Sequence, residues 1–121
     1  MFYYSMRIFV DIDNTISIIS HEHTDYNLAK PLNDRIHRIN DLYDQGHEII
    51  YWTARGSGTG KLWFQTTHNQ LTVWGCKFHE LRMGKPVYDL FIDDKNIMSD
   101  TFFSDKHTTC QNTIYNLQHC K

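Results

Sequence analysis

Residues 7–15 read RIFVDIDNT. A short, largely apolar run, Arg7–Val10, leads straight into two carboxylates spaced one residue apart, Asp11 and Asp13. Continuous apolar runs of this length fit strands buried on both faces of a parallel sheet. The fold therefore turns on whether similar runs follow with helices between them. Glu48–Trp52 is a second run, Cys76–Leu81 a weaker third and Tyr88–Ile92 a fourth. Between the first two, Pro31–Gln45 carries Leu32, Ile36, Ile39 and Leu42 or Tyr43 on one helical face. Pro31 suits the first helical turn and Gly46 the position just past the end. The next interval, Gly60–Trp74, sets Trp63, Thr67, Leu71 and Trp74 on one face, with Thr59 as N-cap and Gly75 as terminator. A third helix is expected between Thr109 and His119, anchored by Ile114 and Leu117. The order β-α-β-α-β-β-α predicts an α/β fold: a Rossmann-like, mostly parallel sheet flanked by helices, joined by right-handed crossovers.

The 121 residues suit one domain, 1–121. An apolar fraction of 40% and a charged fraction of 21% are those of an ordinary globule with a packed core. The formal net charge is −2 with no basic block, which weighs against non-specific binding of nucleic acid or anionic membranes. No apolar run approaches the roughly 20 residues that span a bilayer. Met1–Arg7 lacks the charged-then-apolar plan of a secretion signal, so a cytoplasmic location is the default expectation. Met6 stands immediately before the first strand, and Met1–Ser5 reads as an extension or an upstream start. Cys76, Cys110 and Cys120 are odd in number and show no CxxC spacing, as free thiols in a reducing compartment would.

In parallel α/β sheets the ligand sits beyond the carboxyl ends of the strands. The first strand ends in Asp11-Ile12-Asp13-Asn14-Thr15, the second in Thr53-Ala54-Arg55-Gly56 and the fourth in Asp93-Asp94-Lys95, while Lys85 precedes the fourth. Each feature alone has an ordinary explanation. A DxD is commonly a solvated turn, Asp93-Asp94 a helix cap, Lys85 a surface charge and Thr53 a cap. Together, at successive strand ends, they converge on one edge. Two other motifs carry less. Gly56-Ser57-Gly58-Thr59-Gly60-Lys61 lacks the first Gly and the final Ser or Thr of a phosphate loop, since Arg55 and Leu62 stand there. His21-x-His23 has no third ligand nearby and reads as a polar loop.

The runs FVDIDNTI (9–16), IIYWTARG (49–56), Lys85 and YDLFIDD (88–94) resemble, in order and spacing, the four motifs of haloacid dehalogenase-like phosphohydrolases. The family usually has Gly where this chain has Asn14. The resemblance implies a Mg²⁺-dependent phosphatase in which Asp11 is the nucleophile and Asp13 the general acid and base. It also implies that Thr53 and Lys85 hold the phosphoryl oxygens. Metal ligands would come from Asp11, the carbonyl of Asp13 and Asp93, with Asp94 supporting through water. The residue types suit the task. A phosphate dianion repels a carboxylate, two unit charges at 4 Å interacting by about 1 kcal/mol in water and about 4 at an effective dielectric near 20. A hard cation with oxygen ligands relieves that repulsion.

The interval between Thr15 and Thr53 leaves only Ile16–Lys30 outside its helix, enough for a flap and not for a cap domain. An open site accepts a large substrate or borrows a neighbouring subunit as a lid, so a homo-oligomer is possible. Substrate selection is expected from Tyr26 and Lys30 on the flap, Arg55 and Gly56 in the second loop, and His79, Glu80 and Arg82 around the third strand. Stretches such as AKP, INDLYDQGH and WGCKFHELRMGKP look like the small hydrolases of this superfamily found with bacterial capsule and surface-sugar genes. That likeness implies a small sugar or polyol phosphate. Two alternatives stay open: a polynucleotide 3′-phosphatase, and a receiver-like domain that accepts a phosphoryl group without hydrolysing it. No basic stripe supports the first. The second needs an acceptor Asp after a middle strand, and none follows the second or third.

Overall fold

The computed structural model describes residues 5–19 and 25–104. Ile49, Ile50 and Tyr51 are fully buried at its centre. They form the middle of β4 (Glu48–Trp52), which pairs in parallel with β1 (Arg7–Val10) on one side and β5 (Glu80–Arg82) on the other. The ladders align Val10 with Tyr51 and Trp52 with Arg82, so the carboxyl ends of all three strands lie at one edge. A short antiparallel ribbon, β2 (Ser17–Ile18) with β3 (Lys30–Pro31), stands beside them. A single 3-10 turn, Tyr26–Leu28, precedes β3. The sheet and its flanking helices make a small Rossmann-like α/β fold. No helix among the described residues is long and apolar enough to cross a membrane.

Helix α1 (Asn33–Asp44) buries Ile36, Ile39 and Leu42, three of the residues whose spacing predicts its inner face. Pro31 belongs to β3 and not to the first helical turn, because the Leu32 amide is held by the Ile16 carbonyl at 2.8 Å. Gly46 ends the helix at φ +100°, and His47 returns its amide to the Leu42 carbonyl at 3.1 Å. Helix α2 (Phe64–Val73) buries Thr67 and Leu71 behind the buried Trp63, as its periodicity predicts. It begins four residues later than Gly60. The amides of Ser57, Thr59 and Gly60 fold back on Ala54 and Gly56, and Gly60 at φ +74° breaks the helical path. Val10, Ile12, Ile16, the α1 residues, Ile49, Tyr51, Leu71 and Leu81 form one core. Burial pushes the Cys76 thiol up to about 11, so this free cysteine is a packed, protonated side chain.

Two expected strands are corrected. The third is Glu80–Arg82 and not Cys76–Leu81, because Gly75 at φ +78° and the Cys76 amide on the Leu71 carbonyl still belong to the end of α2. Tyr88–Ile92 forms no strand. Residues 86–98 make a loop pinned at its two ends. The Lys85 amide binds the Thr53 carbonyl at 3.1 Å, and the Ser99 hydroxyl reaches the Asn14 carbonyl at 3.4 Å. Pro86 supplies no amide for a ladder, and Val87, Leu90 and Ile92 face solvent. A short helix that the periodicity did not suggest, α3 (Ser99–Ser104), follows. It docks on α1 through Arg35–Asp100 at 3.0 Å and the Arg35 guanidinium over Phe103. The helix expected between Thr109 and His119, His21-x-His23, Cys110 and Cys120 lie outside the described residues.

Candidate functional site

Past the end of β1 the chain tightens at once. The amides of Thr15, Ile16 and Ser17 all point at the Ile12 carbonyl, at 3.1, 2.9 and 3.1 Å. Asn14 sits at φ +61°, a left-handed conformation that Asn tolerates better than most side chains, which accounts for Asn in place of Gly. This turn presents Asp11 and Asp13 beyond the strand end, each with its own cation. Lys85 Nζ lies 3.2 Å from Asp11 Oδ1, while the Thr15 hydroxyl donates to Asp11 Oδ2 at 3.1 Å. The Asp11 side chain is 36% exposed and the Asp13 side chain 19%, so Asp11 is the more accessible carboxylate.

Thr53 lies at the end of β4, buried at 1% exposure. Its hydroxyl accepts the Arg55 amide at 3.1 Å, leaving its own proton to be donated, and its carbonyl holds the Lys85 backbone. One residue thus ties two loops together and aims the Lys85 ammonium at the first carboxylate. Asp11, Asp13, Thr53 and Lys85 are brought to one edge of the sheet, as their positions at the strand ends suggest.

Arg55 is corrected from a substrate contact to a buried anchor. Its side chain has no exposed surface. Nε and Nη2 fork onto Asp13 at 2.8 and 2.7 Å, and Nη1 donates to Thr67 at 3.1 Å and to Gln70 at 2.6 Å. Bidentate guanidinium–carboxylate pairs are the stronger kind, and a buried one must be well satisfied to persist. The face of Tyr26 covers the guanidinium, 4.8 Å from ring centroid to carbon, and Tyr26 itself meets Trp63 edge-on at 5.0 Å. Tyr26 is therefore placed beside the site, but through Arg55. Ser17 adds a hydrogen bond to Asp13 at 3.2 Å. Gln70 and Ser17 escape sequence reasoning, while Thr67 is expected on the buried face of its helix and Thr15 at the strand end, neither as a partner of the site. The one available signal is that Gln70 stands three residues after Thr67 on the inner side of α2, where such pairs are neighbours.

His79 and Glu80 are at the wrong end. Glu80 pairs with Ile50, and His79 exchanges hydrogen bonds with Ile49, near the start of β4. The shifted strand explains this: these residues open β5 and do not close it. Arg82 closes β5 at the carboxyl edge, but its side chain is taken up within the sheet, binding Glu80 at 2.6 Å and lying over Phe9. Lys30 is an exposed residue of β3. Gly56, at φ +82°, has a structural role, since a Cβ there would collide with the Lys61 carbonyl.

Asp93 and Asp94 are carried by the exposed 86–98 loop. The backbone amide of Asp94, and then that of Lys95, hold the Asp93 carboxyl below the usual carboxylate range. Because Tyr88–Ile92 does not join the sheet, they are not gathered with Asp11. Among the described residues no cluster of three or more His, Cys, Asp or Glu could hold a metal ion. The donor chemistry at Asp11 nonetheless suits a hard cation. It is an oxygen donor, open to solvent, and Mg²⁺ keeps several of its waters when it binds.

No family model and no curated protein matches the chain. Among solved structures, the crystal structure of an MCSG target from Vibrio cholerae is similar in fold, with a TM-score of 0.71 and 24% identity. The match covers 88% of this chain and 94% of that one.

Proposed function

We propose that the chain is a capless phosphomonoesterase of the haloacid dehalogenase-like type that works through an aspartyl-phosphate on Asp11. One observation carries the reading: an accessible carboxylate, Asp11, paired with the Lys85 ammonium and followed two residues later by a second, enclosed carboxylate. In the first step an Asp11 carboxylate oxygen attacks phosphorus and forms an O–P bond. The ester O–P bond breaks opposite to it, and the departing oxygen takes a proton from Asp13, which must enter this step protonated and leaves it as the carboxylate that the Arg55 fork holds. In the second, water attacks the same phosphorus, Asp13 takes its proton, and the Asp11–phosphorus bond breaks. Lys85 and the Thr53 hydroxyl hold the non-bridging oxygens as charge moves. A Mg²⁺ ion held by Asp11 would screen the two anions from each other. The substrate class we favour is a small sugar or polyol phosphate. The net charge of −2 supports this choice over an oligonucleotide.

The test is phosphate release by the purified protein with Mg²⁺ across sugar, polyol and nucleotide monophosphates. We expect release from at least one small ester, its loss on chelation and its return with Mg²⁺. Lys85→Ala is expected to raise the barrier by about 3 kcal/mol, roughly a hundredfold in rate. No release from any ester would refute the proposal.

A further inference from the structure

Both oxygens of Asp13 are engaged by the buried Arg55 fork, and the fork has a second attachment. Gln70 accepts from Arg55 Nη1 at 2.6 Å through its side-chain oxygen. Its amide nitrogen donates to the Tyr26 carbonyl at 2.6 Å, while the Tyr26 ring lies on the guanidinium. The single turn Tyr26–Leu28 is thus joined to Asp13 through a backbone carbonyl, an amide side chain and a guanidinium, all in hydrogen-bond or ring contact. We propose that Arg55 is the positioning residue for Asp13 and that, through Gln70 and Tyr26, it sets that carboxylate according to whether the turn at residues 26–28 is seated. The inference rests on the phosphomonoesterase reading for the role of Asp13, and on geometry alone for the latch.

The physical argument concerns alignment. A proton donor acts only within hydrogen-bond reach of the oxygen it serves, and an enclosed guanidinium has few ways to reorient. Arg55 cannot shift without breaking its bonds to Thr67 and Gln70, both on α2. Gln70 cannot shift without releasing the Tyr26 carbonyl. Seating of the turn and placement of Asp13 are therefore one event. The turn is also held by its own amides, Leu28 to the Asp25 carbonyl at 3.0 Å and Ala29 to the Tyr26 carbonyl at 3.1 Å, by Asn27 on the Asp25 carboxylate at 3.0 and 2.7 Å, and by the Tyr26 ring against Trp63.

Two measurements decide it. The first compares kcat/KM for an alkyl phosphate, whose leaving oxygen needs a proton, with that for 4-nitrophenyl phosphate, whose leaving group departs without one. Arg55→Lys keeps the charge and loses the fork. It should lower the alkyl value about a hundredfold while moving the aryl value by no more than about threefold, and Gln70→Ala should bend the ratio the same way. Asp13→Asn should give the same selectivity, with no further change when combined with Arg55→Lys. An equal fall for both esters would mean that Arg55 is merely structural and would overturn the positioning role. The second measurement needs no activity. Amide exchange at Leu28 and Ala29 should quicken by about tenfold or more in Gln70→Ala. Unchanged exchange would overturn the latch. Wild-type protein that cleaves neither ester would defeat the phosphatase reading, and the exchange result would still decide the latch.

Discussion

Asp11 and Asp13 differ by two positions in sequence and by their cations in space. Lys85 meets the first at the surface, and Arg55 encloses the second. The first pairing is what the family resemblance implies, although Lys85 comes to Asp11 from the segment that follows β5 and not from the start of a fourth strand. The second is not. An Arg three residues beyond a strand end could serve a ligand as readily as a neighbour, and only the packing of Tyr26, Trp63 and α2 around it decides. The enclosed fork makes a strong energetic prediction. Asp13→Ala leaves a buried guanidinium without its counter-charge and should destabilise the fold by about 3–5 kcal/mol in urea unfolding. A loss below about 1 kcal/mol would mean that water reaches Arg55 and that the pair behaves like a surface bridge.

At the scale of elements, the inner faces of α1 and α2 follow from apolar spacing, while their ends do not. Glycines at positive φ and returning amides set those ends, and several glycine positions compete for the role in the 56–60 segment. The β4–β5 register was harder still. A strand of three residues gives too little periodicity to place, and a strand expected at Cys76–Leu81 sets His79 and Glu80 at the opposite edge from the one they occupy. The N-terminal edge has its own chemistry. His47, at 2% exposure, accepts the Met6 amide at Nδ1 at 3.1 Å, so the bond requires the neutral ring. Burial lowers its pKa from the ordinary 6.5. The unfolded chain therefore takes up the proton first. The stability contributed by neutral His47 is complete above about pH 6.5 and is lost as pH falls towards the lower folded value. Across that window unfolding free energy should drop by up to about 1.4 kcal/mol per pH unit. His47→Asn, which keeps an acceptor in place and does not titrate, should flatten the slope. An unchanged slope would assign it to other groups.

Across the whole molecule, alternating apolar runs and helical periods were enough to foresee a parallel α/β sheet, and the similarity to the Vibrio cholerae structure is of that same order. Tyr88–Ile92 stays outside the sheet, because an apolar run specifies burial without naming the partner. Here Val87, Leu90 and Ile92 remain 71%, 75% and 86% exposed beside Lys85. On the proposed open site, a second copy would cover what a cap otherwise covers. Sedimentation should show a dimer, and Leu90→Asp with Ile92→Asp should dissociate it. A monomer at all concentrations would contradict the expectation.

The central claim is that Asp11 carries the phosphoryl group. Rapid quenching of the protein during turnover of an active ester, followed by peptide mass analysis, should find one added phosphoryl on the peptide containing Asp11. The same peptide should be unlabelled in Asp11→Asn, which should also lack turnover. A phosphoryl group on another residue, or turnover that survives Asp11→Asn, would contradict the account.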